Sequence, residues 1–153
     1  EECGCFSEVD RDPRERVITI AFFALVRKAD VKGGDDAEAA SWFPLDRIPP
    51  LAFDHDRILR VALRKLKEKI NFEPIGFELL PELFTMPQLQ NLYESILEVT
   101  FDRRNFANKM LKLGILTNTG QRPAGSGPKI PVKYTFNKDK YDEMKSKGFR
   151  LEF

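Results

Sequence analysis

Between Thr85 and Gly114 two helical stripes follow one another with only four residues between them. The first, FTMPQLQNLYESIL, opens on a capping-box pattern, Thr85 followed three residues later by Gln88, with a proline in its first turn. It sets Leu89, Leu92, Tyr93, Ile96 and Leu97 on one face. The second, DRRNFANKMLKLG, has Asp102 to cap it, Phe106, Met110 and Leu113 to point inward, and Gly114 to stop it. A linker as short as Glu98-Val99-Thr100-Phe101 forces the two helices to cross steeply. Two strand-like runs, ILTNTG and IPVKYTFN, then flank a basic loop rich in glycine and proline, QRPAGSGPK.

Upstream the pattern changes. RVITIAFFALV, residues 16–26, is a β-branched and aromatic run that predicts a strand covered on both faces. DRDPRER before it is a turn, bent at Pro13, and RKADVKGGDDAEAA after it is a polar loop. SWFPL carries the single tryptophan; core packing of Trp42 and Phe43 is the expectation, stacking on a nucleobase the alternative. A long helix begins near Asp54 or Asp56, with Leu59, Ala62, Leu63, Leu66 and Ile70 in helical spacing, and ends where Pro74 and Gly76 break it. The expected division therefore falls between residues 1–72 and 73–153. GFELL, 76–80, reads as a short strand, KDKYDEMKSKG as a last short helix, and FRLEF as a final strand or tail.

With 42% hydrophobic and 32% charged residues, the 153-residue chain has the composition of a globular protein, not a disordered one. No apolar run reaches the length of a membrane span, and the acidic opening EECGCFSEVD is no signal peptide. Cys3 and Cys5 would share one face of a strand; their spacing suits neither a redox pair nor a zinc site, which predicts two small buried thiols. The net charge of +1 conceals a division. Residues 101–153 carry 12 cations against 5 anions, a net +7, and residues 1–100 carry 13 against 19, a net −6. An acidic body with a basic module points to a nucleic-acid partner, a lysine-rich tail being the plainer alternative.

The order from residue 57 to 136 is helix, short strand, helix, tight turn, helix, strand, loop, strand, which is that of a winged helix. The 102–114 helix would be the recognition helix and QRPAGSGPK the wing. Arg104, Asn108 and Lys112 lie opposite Phe106, Met110 and Leu113, so that face is free to enter a groove. Arg103, Arg104 and Asn105 occupy the first turn, the end that reaches base edges in such motifs. Arginine suits guanine and asparagine adenine. Arg122, Lys129 and Lys133 add a basic wing. Cations at a helix start oppose the backbone dipole, so either they are solvated surface or an external anion, DNA, faces them.

The segments DRDPRERVITIAFFALV, SWFPLDRIPPLAFDHDRIL, FELLPELFTMPQLQNLYESIL and DRRNFANKMLKLGIL resemble the Nudix-related transcriptional regulators. The resemblance runs over nearly the whole chain. It implies an α+β chain, the C-terminal part of a Nudix-like α/β/α domain followed by a winged helix-turn-helix. It further implies a cytoplasmic bacterial homodimer that represses through double-stranded DNA and senses a small-molecule effector, an ADP-ribose-like nucleotide or a sugar. The family's Nudix box is not found in this sequence; EECG imitates only its last letters, and the chain is expected to begin inside the Nudix-like domain.

A competing reading is Nudix hydrolysis of a nucleoside diphosphate derivative, with the winged module used for protein contacts. It needs clustered glutamates to hold magnesium, and none is evident, so no catalytic residue, metal or cofactor is assigned. His55, between Asp54 and Asp56, fits a helix start better than a metal or acid–base site. Arg14 and Arg16, beside the long strand, could hold an effector phosphate, or could be ordinary surface arginines next to a turn.

Overall fold

The structure, a computed structural model, describes residues 1–29, 31, 39–122, 131–148 and 151. The chain divides into two compact units, Glu1–Lys65 and Leu66–Phe153. Both mix helix and strand, the α+β composition expected.

In the first unit β1 (Glu2–Phe6) pairs antiparallel with β2 (Thr19–Phe22). Glu2 faces Phe22 but Gly4 faces Ala21, so Cys3 is an extra residue, a bulge. A bulge reverses the side-chain alternation beyond it. Cys3 and Phe6 are therefore buried while Cys5 is exposed, which corrects the expectation of two buried cysteines. The strand over residues 16–26 is also shorter than expected, and its cover on both faces is not met among the described residues. Ile20 and Phe22 are 59% and 70% exposed, and Ile18 and Val26, before and after the strand in the chain, are exposed as well. Trp42 and Phe43 are likewise exposed rather than packed in a core; the Trp42 indole N–H donates to the Ala29 carbonyl at 2.6 Å.

The helix read from Asp54 or Asp56 is α1 (His55–Phe72). Asp56 and Arg60 form an i,i+4 ion pair on its first turn, and Ile70 is fully buried near its end.

In the second unit the residues after Gly76 depart from expectation. Phe77–Leu79 is a 3-10 turn, not a strand, entered through Gly76 at φ +87°. A short apolar run does not by itself distinguish strand from turn. Here Phe77 is drawn inward, where its ring stacks on Phe136 at 4.1 Å. The strand lies later, at β3 (Phe84–Thr85), and leads directly into α2 (Met86–Leu97). The Thr85–Gln88 capping box is formed, with Thr85 N–H donating to Gln88 Oε1 at 2.8 Å.

Next come α3 (Arg103–Lys112), β4 (Leu116–Asn118), β5 (Lys133–Phe136) and α4 (Lys138–Ser146). The three strands form an antiparallel sheet in the order β3-β5-β4. Phe84, Leu89, Tyr93, Phe106, Met110 and Tyr134 share its core with Ile70. Gly114, at φ +71°, turns the chain from α3 into β4, a conformation that a side chain would strain. Leu151, from the segment read as strand or tail, is buried, and its N–H donates to the Phe72 carbonyl at 2.8 Å. The element order from α1 to β5 is the winged-helix order.

Candidate nucleic-acid interface and effector cleft

The start of α3 is built by four hydrogen bonds. Asp102 caps the helix by accepting from the Asn105 N–H at 2.9 Å, as its sequence position predicts. One turn earlier in space, Glu94 of α2 accepts from Gln90 Nε2 and from the Phe101 N–H, both at 2.8 Å. Gln90 Nε2 also donates to the Phe101 carbonyl at 2.9 Å. Gln90 and Glu94 thus hold the backbone of the α2–α3 turn, in which Glu98 adopts a left-handed conformation, φ +57°, and pairs with Lys67 at 2.6 Å. Hydrogen bonds from Gln90 and the Phe101 N–H, with the charge of Arg103, keep the Glu94 carboxyl below its ordinary range. Nothing in the hydrophobic pattern of α2 signalled this pair, because polar residues on a helix read as solvent-facing.

Inside α3, Phe106 and Met110 are buried, and Tyr93 meets the Phe106 ring edge-on at 5.8 Å. The opposite face carries the sequence candidates: Arg103, Arg104, Asn105, Asn108 and Lys112 are all exposed. They do not share one environment. Arg103 lies on the side where its charge acts on Glu94, whereas Arg104, Asn108 and Lys112 follow one another at four-residue spacing along the open face. Leu111, seven residues beyond Arg104 and 44% exposed, shares that face and was not among the sequence candidates. An exposed leucine is ordinary in isolation, so only its place beside the three polar residues distinguishes it.

Of the wing residues, Arg122 is exposed beyond β4, and Lys133 is half-buried at the start of β5, its backbone opposite Thr85. Lys129 lies outside the described residues.

In the first unit the sequence candidates are Arg14 and Arg16. Arg16 donates to the Ser7 carbonyl. Arg14 grips Asp12 through two bonds, Nε to Oδ1 at 3.0 Å and Nη2 to Oδ2 at 2.7 Å, and lies 4.7 Å over the Phe53 ring. These bonds hold the Asp12 carboxyl at about 2. Arg11, which sequence reasoning passed over, is buried and bonds Asp54 bidentately, at 3.1 and 2.8 Å, and the Thr19 hydroxyl at 2.6 Å. Arg11, Arg14, Phe53 and His55 line a cleft of about 350 Å³. Phe53 stands at φ +52°, an uncommon conformation for a bulky residue, of the kind that collects at ligand sites. Among the described residues no group of three His, Cys, Asp or Glu is placed to hold a metal ion, and no helix is long and apolar enough to cross a membrane.

A family model described as the NrtR DNA-binding winged helix domain matches residues 76–136. The ADPR responsive transcriptional repressor NtrR of Acinetobacter baylyi is 31% identical over 145 residues, 93% of this chain and 58% of that protein. An ADP-ribose pyrophosphatase of Methanocaldococcus jannaschii is 46% identical over 61 residues, 40% of this chain and 36% of that enzyme. The chain thus spans little more than half the length of the repressor. Among solved structures, Shewanella oneidensis NrtR matches at a TM-score of 0.73 and 24% identity, covering 99% of this chain and 67% of that one. The same protein complexed with a 27mer DNA matches equally. A MutT/nudix family protein from Enterococcus faecalis matches at 0.65 and 23% identity, covering 89% of this chain and 60% of that one. At these identities the structural likenesses bear on the fold.

Proposed function

We propose that this chain is a Nudix-related transcriptional regulator that binds operator DNA as a homodimer under the control of a small molecule, a reading supported by the winged-helix match over residues 76–136 and by the likeness to the A. baylyi repressor. The observation that carries the reading is the outer face of α3, where Arg104, Asn108, Lys112 and Leu111 stand exposed while the inner face is consumed by the core. Arg104 would read guanine and Asn108 adenine, and Leu111 offers an apolar contact to a thymine methyl. Arg103, Asn105 and Lys112 would meet phosphates or bases at the helix ends, and Arg122, Lys129 and Lys133 the backbone beside the wing. The A. baylyi repressor is named as ADPR responsive, which supports an ADP-ribose-like effector in the first unit. The cleft lined by Arg14 and Phe53 would take it, with a sugar as the alternative occupant.

The test is binding of the chain to a duplex enriched from random sequences and to a scrambled duplex, across a salt series. Affinity should fall steeply as salt rises, because neutralised phosphates release counterions. Affinity independent of salt would remove the DNA reading.

The match to an ADP-ribose pyrophosphatase supports a second reading, hydrolysis of a nucleoside diphosphate derivative. That chemistry needs clustered carboxylates to hold magnesium, and the described residues offer no such group. Incubation with ADP-ribose and magnesium should release no product; metal-dependent turnover would put hydrolysis first.

A further inference from the structure

We propose that Glu94, with Gln90, is the positioning residue for the DNA-reading end of α3; this rests on the reading of α3 as the recognition helix. The two side chains grip both backbone groups of a single residue, the Phe101 N–H through Glu94 and the Phe101 carbonyl through Gln90. Phe101 immediately precedes the helix cap, and its ring packs 5.4 Å from that of Phe106. Holding Phe101 therefore fixes the first turn of α3 at two points, its cap and its buried face. Only five residues, Glu98 to Asp102, join α2 to α3, and one of them, Glu98, sits in a left-handed conformation.

A reading group must stand within about 0.5 Å of its productive place, and a supporting layer of hydrogen bonds provides that. Gln90 is 7% exposed, so its amide is committed to this grip rather than to solvent. On the helical wheel Arg104 is the outward cation of the first turn, while Arg103 lies nearer the Phe106 side. Glu94 itself, being anionic, has no place against a phosphate. Its effect on DNA reading is transmitted through the backbone it holds.

The experiment uses the full chain, a duplex enriched on it from random sequences, and a scrambled duplex of the same composition. Glu94→Ala should lower affinity for the enriched duplex about tenfold, while affinity for the scrambled duplex and its salt dependence change less than twofold, since no phosphate contact is lost. Glu94→Gln keeps an oxygen for the Phe101 N–H and should restore most of the discrimination. Gln90→Met cuts the other arm of the grip and should reproduce the loss if Glu94→Ala does not fold. Arg104→Ala serves as the reference for a group that touches DNA. A folded variant with either arm cut that still discriminates within twofold of the unaltered chain would overturn the proposal. So would equal losses on both duplexes, which mark a direct phosphate contact. Failure of the unaltered chain to enrich any duplex would instead overturn the recognition-helix reading, and the proposal with it.

Discussion

Arg103 and Arg104 are adjacent, and both oppose the dipole at the start of α3, where a cation costs about 0.3–1 kcal/mol. On the helical wheel Arg103 lies nearer the Phe106 side, while Arg104 faces outward with Asn108 and Lys112. Arg104→Ala should therefore weaken binding to an enriched duplex by about 1–3 kcal/mol if it reads a base, and leave stability within about 0.5 kcal/mol. Phe106, 2% exposed, should behave oppositely: Phe106→Ala costs about 3–5 kcal/mol of stability through the cavity it leaves. Urea unfolding and fluorescence anisotropy on both variants separate the two roles, and an Arg104→Ala chain with unchanged affinity would remove that residue from the interface. Glu98 gives a prediction of the opposite sign. A left-handed backbone costs a side-chain-bearing residue about 1–2 kcal/mol, and the exposed Lys67 pair returns less than about 1 kcal/mol. Glu98→Gly should raise stability by about 0.5–1 kcal/mol in urea unfolding; a loss would mean that the Lys67 pair outweighs the strain.

Among the elements, α2 depends on its first turn as much as on its apolar stripe. Thr85 is the last residue of β3, paired across from Lys133, and also the cap of α2. Its hydroxyl accepts from the Gln88 N–H at 3.4 Å, a long bond, while the reciprocal bond from Thr85 N–H to Gln88 is 2.8 Å. Thr85→Ala loses the first and keeps the second, so a destabilisation of about 0.5–1 kcal/mol, the low end for a cap, is expected from thermal unfolding. A cost above about 2 kcal/mol would show that Thr85 supports the sheet as well. The neighbouring misreading of 76–80 as strand has the same origin. Strand and turn are both available to five residues containing Gly76, and Phe77 stacking on Phe136, 59 residues distant in the chain, selects the turn.

At the scale of the whole molecule the first unit leans on ion pairs. Its described core is small, with Cys3 and Phe6 as the buried apolar residues, and its loops are tied by Arg14–Asp12, Arg11–Asp54 and Arg57–Glu8. Hydrogen bonds from Arg14 hold Asp12 at about 2, those from Arg57 hold Glu8 at about 2, and Arg11 keeps Asp54 below the ordinary range. Each folded value lies below its unfolded value of about 4. The stabilisation is therefore fully present above about pH 4–5 and is lost as the pH falls toward 2. Urea midpoints measured from pH 7 to 2 should drop across that window, and Asp12→Asn should flatten the drop. An unchanged slope in Asp12→Asn would mean that this pair, whose arginine is largely exposed, is screened to no effect.

The sequence by itself determined the second unit closely. Asp102, Thr85, Gln88 and Gly114 mark helix ends through bonds to residues three or four positions away, and the apolar spacing of α2 and α3 sets their inner faces. Such signals are local, so they survive without knowledge of the fold. Tertiary structure alone decided the rest. The bulge at Cys3 depends on the partner strand, and it moved Cys5 from the buried face to the open one. Arg11 reads as one more surface cation until Asp54, 43 residues on, closes over it. Trp42, expected in a core, stands exposed because burial depends on which chain lies against it, and no local pattern encodes that. Glu94 and Gln90 became a grip only once the α2–α3 turn brought Phe101 between them. Polar contacts across distant segments are specified by position in space, and the linear spacing of residues carries no record of it.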